Sequence, residues 1–388
     1  MKKLNILIIT QDYPPPYGGI QTFTYDLENG YRKEGHNVTM LSFDGRHTSN
    51  FSLMRVRDLF YTEATKNDYF RISKLINPIM LFKLGGYRDF IYQNMIYRIT
   101  SDKISKIKPD IIHLTNAKLY SAIYNKHVPF IVSCHSEEIV DQFPIKYTLL
   151  NANRIHCVTE FTKNLVLKIT PERKNDIKVI YTGIDIKSFS IRSKRKNQII
   201  TLCRLEKRKN VGSIINAYSL LPSEIKNKYK YIIAGDGSER ENLEKLVRRL
   251  KLSNNIIFIG SVSESYKREL LAESKLYVMC PTLYMGEQEG FGITYIEAQA
   301  AGIPVIGSKI GGATEAIRDC GIIVTDENNP SEIASKITQI LSDKRLYDKC
   351  KTNIKKGISG FDKEGWIDRM EAFLYSVLEN KSPGHAYD

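Results

Sequence analysis

Several features that would settle the class of this chain at once are missing from it. No apolar stretch approaches the roughly 20 residues of a membrane-spanning helix. The run Leu4–Thr10 behind Lys2 and Lys3 is too short for a secretory leader, and Gln11, Asp12 and Pro14–Pro16 interrupt it, so no leader is expected. The six cysteines, Cys134, Cys157, Cys203, Cys280, Cys320 and Cys350, include no close pair and sit mostly in apolar runs. They read as buried, reduced thiols, which places the chain in the cytoplasm. No Gly-x-Gly-x-x-Gly follows Leu4–Thr10, which disfavours a nicotinamide enzyme. Lys and Arg form no sustained run and no nucleic-acid module is recognisable, so nucleic acid is not expected as a partner.

What is present is length, charge and pattern. At 388 residues, with 42% apolar and 26% charged residues, the chain has the size of two domains and a globular composition. A formal net charge of +14 fits an anionic partner, either a membrane surface or a substrate.

Leu4–Thr10 is the continuous apolar run of a strand buried on both faces of a parallel sheet. A loop with Gly18 and Gly19, a helix over Ile20–Glu34 ending at Gly35, and a strand over Asn37–Ser42 follow. Glycines at such a helix entrance lie where α/β sheets bind ligands, though a tight turn uses them equally well. Further strands are expected at Asp110–Leu114, Pro129–Cys134, Arg154–Thr159 and Ile177–Ile180. Phe51–Lys108 mixes aromatics with bases and is expected to be helical, suited to a membrane surface, an acceptor pocket or plain covering helices. Ser190–Gln198 is polar and basic and reads as a linker. The pattern then restarts at Ile199–Cys203, with strands at Tyr231–Ala234, Ile256–Gly260, Leu276–Met279 and Gly321–Val324 separated by helices. The fold class is therefore α/β: two doubly wound, Rossmann-like domains facing a central cleft, over 1–190 and 197–364. A last helix, in the region 365–388, is expected to pack back on the first domain.

The chemistry concentrates in Glu289–Ile306. Gly290 and Gly292 let backbone approach a ligand, and Ile293 and Thr294 read as a helix start whose free amides and dipole favour phosphate. Glu289 before the turn and Glu297 on the helix would suit sugar and ribose hydroxyls; two solvated glutamates at an ordinary corner would look the same. Arg204 and Lys209, close behind the Ile199–Cys203 strand, could neutralise a departing diphosphate or form a solvated basic turn. His135 ends its strand on the ligand edge of the sheet, whereas His113 falls inside its strand.

Taken in order, Pro16-Tyr17-Gly18-Gly19, Val132-Ser133-Cys134-His135, Gly183-Ile184-Asp185, Arg204-Leu205 with Lys209, Gly235-Asp236-Gly237, Glu289-Gly290-Phe291-Gly292 with Glu297-Ala298, and Gly302-Ile303-Pro304-Val305-Ile306 with Gly311-Gly312 and Glu315 resemble, nearly end to end, a GT-B retaining glycosyltransferase of the family 4 type. The resemblance implies transfer of a glycosyl unit, with retention, from a UDP- or GDP-linked sugar to a hydroxyl, with no cofactor and no metal; the chain has no Asp-x-Asp. It implies that Gly18 and Gly19 approach the diphosphate, that His135 meets the donor sugar, and that Arg204 and Lys209 hold the phosphates. Glu289 would bind sugar hydroxyls and Glu297 the ribose. Amides around Gly290, Phe291, Gly292, Ile293 and Thr294 would meet phosphate and sugar, and Val262 the base. The chain departs from the pattern at Thr182, where Asn is frequent, at Thr115, where a second histidine is common, and at Asn210, where Gly is frequent. The acceptor is expected to be a saccharide or lipid-linked saccharide of the cell envelope, with peripheral contact to the inner face of an anionic membrane, or else a small molecule. An inverting transferase, an epimerase on a similar frame, and a binding protein without turnover are the rivals; the last would be expected to lose Arg204, Lys209 or Glu289.

Overall fold

The computed structural model describes residues 2–11, 13, 18–42, 53–55, 85–123, 127–136, 139, 143–191 and 193–379. The chain divides into two compact units, one formed by Met1–Val158, Thr162–Ile180 and the chain from Ile367 on, the other by Thr159–Phe161 and Tyr181–Trp366.

The first unit holds strands β1 (Asn5–Thr10), β2 (Asn37–Ser42), β3 (Leu53–Arg55), β4 (Ile111–Leu114), β5 (Phe130–Cys134), β6 (Arg154–Cys157) and β7 (Ile177–Val179). They form one sheet in the order β3-β2-β1-β4-β5-β6-β7, parallel throughout. Helices α1 (Gly19–Lys33), α2 (Gly85–Ile107), α3 (Phe143–Asn151) and α4 (Glu160–Ile169) connect them. Ile6–Ile9 are fully enclosed, as the run of apolar residues requires of a strand covered on both faces. α1 stops where Gly35, at φ +89°, turns the chain back and lets His36 N–H bond the Tyr31 carbonyl at 3.1 Å, the αL close of a helix.

Phe51–Lys108 departs from the all-helical expectation. Leu53–Arg55 pairs with Met40–Ser42 as an edge strand, extending the ladder that β2 offers. Helix α2 occupies the end of the stretch, and residues 56–84 lie outside the described residues, as do Pro14–Tyr17.

The second unit repeats the plan with β8 (Gln198–Leu202), β9 (Lys230–Ala234), β10 (Ile256–Gly260), β11 (Leu276–Met279), β12 (Val305–Ser308) and β13 (Gly321–Val324). Their order is β10-β9-β8-β11-β12-β13. Helices α5 (Val211–Ser219), α6 (Ser223–Lys228), α7 (Arg240–Arg249), α8 (Glu264–Glu273), α9 (Ile293–Ala300), α10 (Ala313–Ile317), α11 (Pro330–Ser342) and α12 (Lys344–Gly357) flank the sheet, and α13 (Lys363–Glu379) follows. The strand order reverses between β8 and β11, so the loops leaving their carboxyl ends diverge and open a crevice, the topological switch point at which such sheets bind ligands.

Both connections are tied down. Arg195, inside Ser190–Gln198, donates to the carbonyls of Ser274 at 2.6 Å and Ala301 at 2.8 Å, so this stretch is pinned to the second unit. In the first unit α13 lies so close to α1 that a Cβ on Gly30 would stand 2.3 Å from Ile367 Cδ1, and Glu371 pairs with His36 at 3.0 Å.

Candidate functional site

The second unit builds its site from the two loops that leave β8 and β11. After β8 the chain makes a short 3-10 turn over Lys207–Lys209 and reverses at Asn210, which takes φ +54°. Asn210 is held by its Nδ2 donating to the Glu327 carbonyl at 2.7 Å, and Thr282 N–H, from the loop after β11, bonds the Arg208 carbonyl at 2.9 Å. The loops are thereby laced together. Between them Lys209 Nζ stands 2.5 Å, and Arg208 Nη1 3.3 Å, from the same Oε2 of Glu289.

Glu289 is only 8% exposed. Burial alone would raise its pKa; the charges of Lys209 and Arg208 more than offset this and hold it below the ordinary carboxylate range. It is an ionised acceptor in a dry place, where electrostatics act at low screening. Arg204, the other cation expected here, is more than half exposed and pairs with Glu206 at 2.9 Å. It stands at the rim of the pair that Lys209 and Glu289 make.

Gly290–Gly292 then turns the chain into α9. Gly292 has φ +79° at the N-cap, and a Cβ there would lie 2.6 Å from the Tyr295 ring. The Glu289–Gly290 backbone is braced from behind by Gly311 and Gly312. Gly312 N–H bonds the Glu289 carbonyl at 2.9 Å, and Cβ atoms on Gly311 and Gly312 would sit 2.0 Å from Glu289 O and 2.1 Å from Gly290 O. Backbone meets backbone here, and any side chain would part them. Phe291 is buried and stacks on Tyr181 at 5.9 Å. Ile293 opens α9, and the Thr294 hydroxyl lies 2.6 Å from that of Tyr277. No side chain caps this helix, so its first amides remain available to an anion.

Glu297, one turn further along α9, is 4% exposed and accepts from Lys267 of α8 at 2.6 Å. Its Oε2 is buried without a hydrogen-bond partner. Burial raises its pKa by more than Lys267 lowers it, the opposite outcome to Glu289. The two glutamates therefore answer to different cations. Val262 is half-buried in the loop between β10 and α8.

Gly18, Gly19 and His135 belong to the first unit. Gly18 caps α1 in an extended conformation, and Gly19 is exposed with nothing within 4 Å of a Cβ built on it. His135 follows β5 edge-on to Phe23, with ring centroids 4.7 Å apart. Burial, with the neighbouring His156, lowers its pKa to about 3, which keeps the imidazole neutral. Behind it runs an enclosed chain: His113 Nε2 to Ser133 Oγ at 2.7 Å, Ser133 Oγ to His156 Nδ1 at 2.8 Å, and His156 Nε2 to the Ile180 carbonyl at 2.9 Å. The last contact fixes the tautomers: His156 Nε2 donates to the carbonyl, so Ser133 donates to Nδ1 and accepts from His113.

Arg208 and Lys267 are site residues that the sequence pattern does not single out. The crowding of bases from Arg204 to Lys209 signalled the first, but the spacing did not say which base turns inward. Nothing in α8 marked the second.

Among the described residues no group of three or more His, Cys, Asp and Glu is placed to hold a metal ion, and no helix is long and apolar enough to cross a membrane. None of the six cysteines is in a disulfide; Cys203 is partly buried and the other five are buried.

Residues 17–188 match the Glycosyltransferase Family 4 model, and residues 184–357 match the model for Glycosyl transferases group 1. An uncharacterized glycosyltransferase of Methanocaldococcus jannaschii, MJ1607, is 26% identical over 398 residues, covering 94% of this chain and 95% of its own. The N-acetyl-alpha-D-glucosaminyl L-malate synthase of Bacillus anthracis is 26% identical over 397 residues, covering 95% and 97%. Among solved structures, Anabaena HepE in complex with UDP and glucose superposes with a TM-score of 0.74 at 18% identity, over 96% of this chain and all of the other. That likeness concerns the fold.

Proposed function

The chain belongs to the GT-B glycosyltransferases of family 4, group 1, and from that premise we propose that it moves a glycosyl unit, with retention at the anomeric carbon, from a nucleoside-diphosphate sugar to a hydroxyl acceptor. The observation that carries the reading is the convergence of Lys209 and Arg208 on Glu289 at the β8/β11 switch point, next to the uncapped start of α9.

In this reading the domain of residues 197–364 binds the donor, and that of residues 1–190 serves the acceptor. Lys209 and Arg204 take the diphosphate, and the α9 amides from Ile293 on share its charge. Glu289, ionised and held, accepts from donor-sugar hydroxyls, and the free Oε2 of Glu297 accepts from ribose. The bond from the anomeric carbon to phosphate oxygen breaks, a bond to the acceptor oxygen forms on the same face, and the acceptor proton passes to the leaving phosphate. Glu289 is tied by Lys209 and Arg208, which suits a hydroxyl acceptor better than a covalent nucleophile. His135, neutral, can donate or accept one hydrogen bond at the sugar without adding charge. Gly18 and Gly19 offer open backbone to phosphate, and Val262 backbone to the base. Electrostatics from side chains and a helix start would replace a metal.

UDP is the first nucleotide to test, because HepE was solved with it. The net charge of +14 and the basic, aromatic Phe51–Lys108 stretch favour a saccharide or lipid-linked acceptor of the cell envelope, met at the cytoplasmic face of the membrane. The likeness to the N-acetyl-alpha-D-glucosaminyl L-malate synthase favours a second reading, a small-molecule acceptor. Thermal melting against UDP, GDP, ADP and their sugars, with and without EDTA, tests the donor half: one diphosphate should raise the midpoint unchanged by EDTA. No shift with any of them would refute it. Product analysis with a lipid-linked saccharide and with L-malate then decides the acceptor, and the anomeric configuration by NMR decides retention.

A further inference from the structure

Both cations that the donor reading assigns to the diphosphate already hold carboxylates: Arg204 has Glu206 at 2.9 Å, and Lys209 has Glu289 at 2.5 Å. Arriving phosphates compete with Glu289 for Lys209. A carboxylate left alone at such depth would take up a proton and lose the charge that makes it a strong acceptor for sugar hydroxyls.

Arg208 touches the same carboxylate from a more fixed position. Its side chain is 5% exposed, with Nη1 3.3 Å from Glu289, Nε 3.8 Å from Glu287 and Nη2 4.0 Å from Glu206. Its backbone is pinned by Thr282 N–H, and a guanidinium does not lose its proton in a protein. Lys209, by contrast, carries a compact charge on a flexible stem. Resting on the donor reading above, we propose that Arg208 is the positioning residue that keeps Glu289 ionised and aimed at the donor sugar once Lys209 has moved to the diphosphate. Two adjacent bases divide the labour: one travels with the phosphate and one stays with the carboxylate.

The groups that face Glu289 are Lys209, Arg208, Arg204 and Cys203 from the loop after β8, Tyr277 of β11 and Tyr295 of α9. Burial holds Cys203, Tyr277 and Tyr295 protonated well above neutrality, so none of these three titrates between pH 4 and 8.

The test follows the Glu289 carboxyl by NMR of protein carrying 13C at glutamate Cδ, with Glu289→Gln assigning the signal, titrated with and without UDP or GDP. In the wild type the signal stays ionised throughout the neutral range in both states. In Arg208→Gln, nucleotide should raise its apparent pKa by about one unit or more, while the nucleotide-free shift is smaller because Lys209 is still there. Arg208→Lys should restore the wild-type titration, and Arg208→Met, which keeps the packed stem, carries the test if glutamine does not fold. An unmoved titration in nucleotide-bound Arg208→Gln or Arg208→Met overturns the proposal, as does a lysine variant that behaves like glutamine. If neither UDP nor GDP binds the wild type, the donor reading itself falls and the proposal falls with it.

Discussion

Replacing Lys267 by methionine keeps the length of the side chain and removes the ammonium that lies 2.6 Å from Glu297. Coulomb's law at an effective dielectric of about 20 puts the attraction of such a pair at roughly 6 kcal/mol. Most of it offsets the cost of burying two charges, and truncating one partner of a buried pair costs about 3–5 kcal/mol. The remaining charge is what matters. Glu264, the other carboxylate beside Lys267 at 2.8 Å, is half exposed and stays solvated when the ammonium is removed, whereas Glu297 is 4% exposed and keeps the weaker influence of Arg268. Its pKa, already raised by burial against Lys267, rises further in the variant. Over the window between the unfolded value and that raised one, the native state binds more protons than the unfolded state, so stability falls as pH rises, by about 1.4 kcal/mol per pH unit. Trp366 is the single tryptophan, fully buried in the same unit, and its fluorescence during urea unfolding reports on that unit. Lys267→Met should lose little at pH 5 and several kcal/mol at pH 8, and Lys267→Met with Glu297→Gln should recover most of the loss. An equal loss at both pH values, or no loss at pH 8, would show that Lys267 does not hold Glu297 ionised.

Two further outcomes follow from the geometry. Gly311→Ala puts a Cβ 2.0 Å from the Glu289 carbonyl at a residue with φ +66°; it should leave both cores folded by circular dichroism yet cut turnover by at least tenfold, and wild-type turnover would show that the brace is dispensable. In the first unit, burial holds His156 at a pKa of about 4 and His135 at about 3. The unfolded state therefore takes up protons that the native state refuses, and stability falls as pH drops from about 6.5 to 4, on the order of 3 kcal/mol for His156. Hydrogen exchange of β4–β6 at pH 7.5 and 5 should show the loss, and Ser133→Ala, which strands two imidazole nitrogens, should weaken the same strands by about 2 kcal/mol at pH 7.5.

Both sheets were legible because fully buried parallel strands must be apolar on both faces, as Ile6–Ile9 and Leu276–Met279 are. The glycine turns were legible for a similar reason: Gly35 and Gly292 sit at φ values that side chains resist. What the pattern could not show was direction. Arg204, Lys207, Arg208 and Lys209 look alike as letters; the αL reversal at Asn210 and the Thr282 contact decide that Arg208 goes inward while Arg204 stays at the rim. Lys267 lies on a charged helix with no periodic signal, and its partner is 30 residues away. The edge strand Leu53–Arg55 is too short to announce itself and exists because β2 offers it a ladder.

The donor site is tested most directly by calorimetric titration of the wild type, Lys209→Ala and Glu297→Gln with UDP, GDP and ADP in EDTA. One nucleotide should bind the wild type without metal, and each substitution should weaken that binding by about tenfold or more, some 1.4 kcal/mol. Full-strength binding by either folded variant, or no binding by the wild type, would contradict the donor reading.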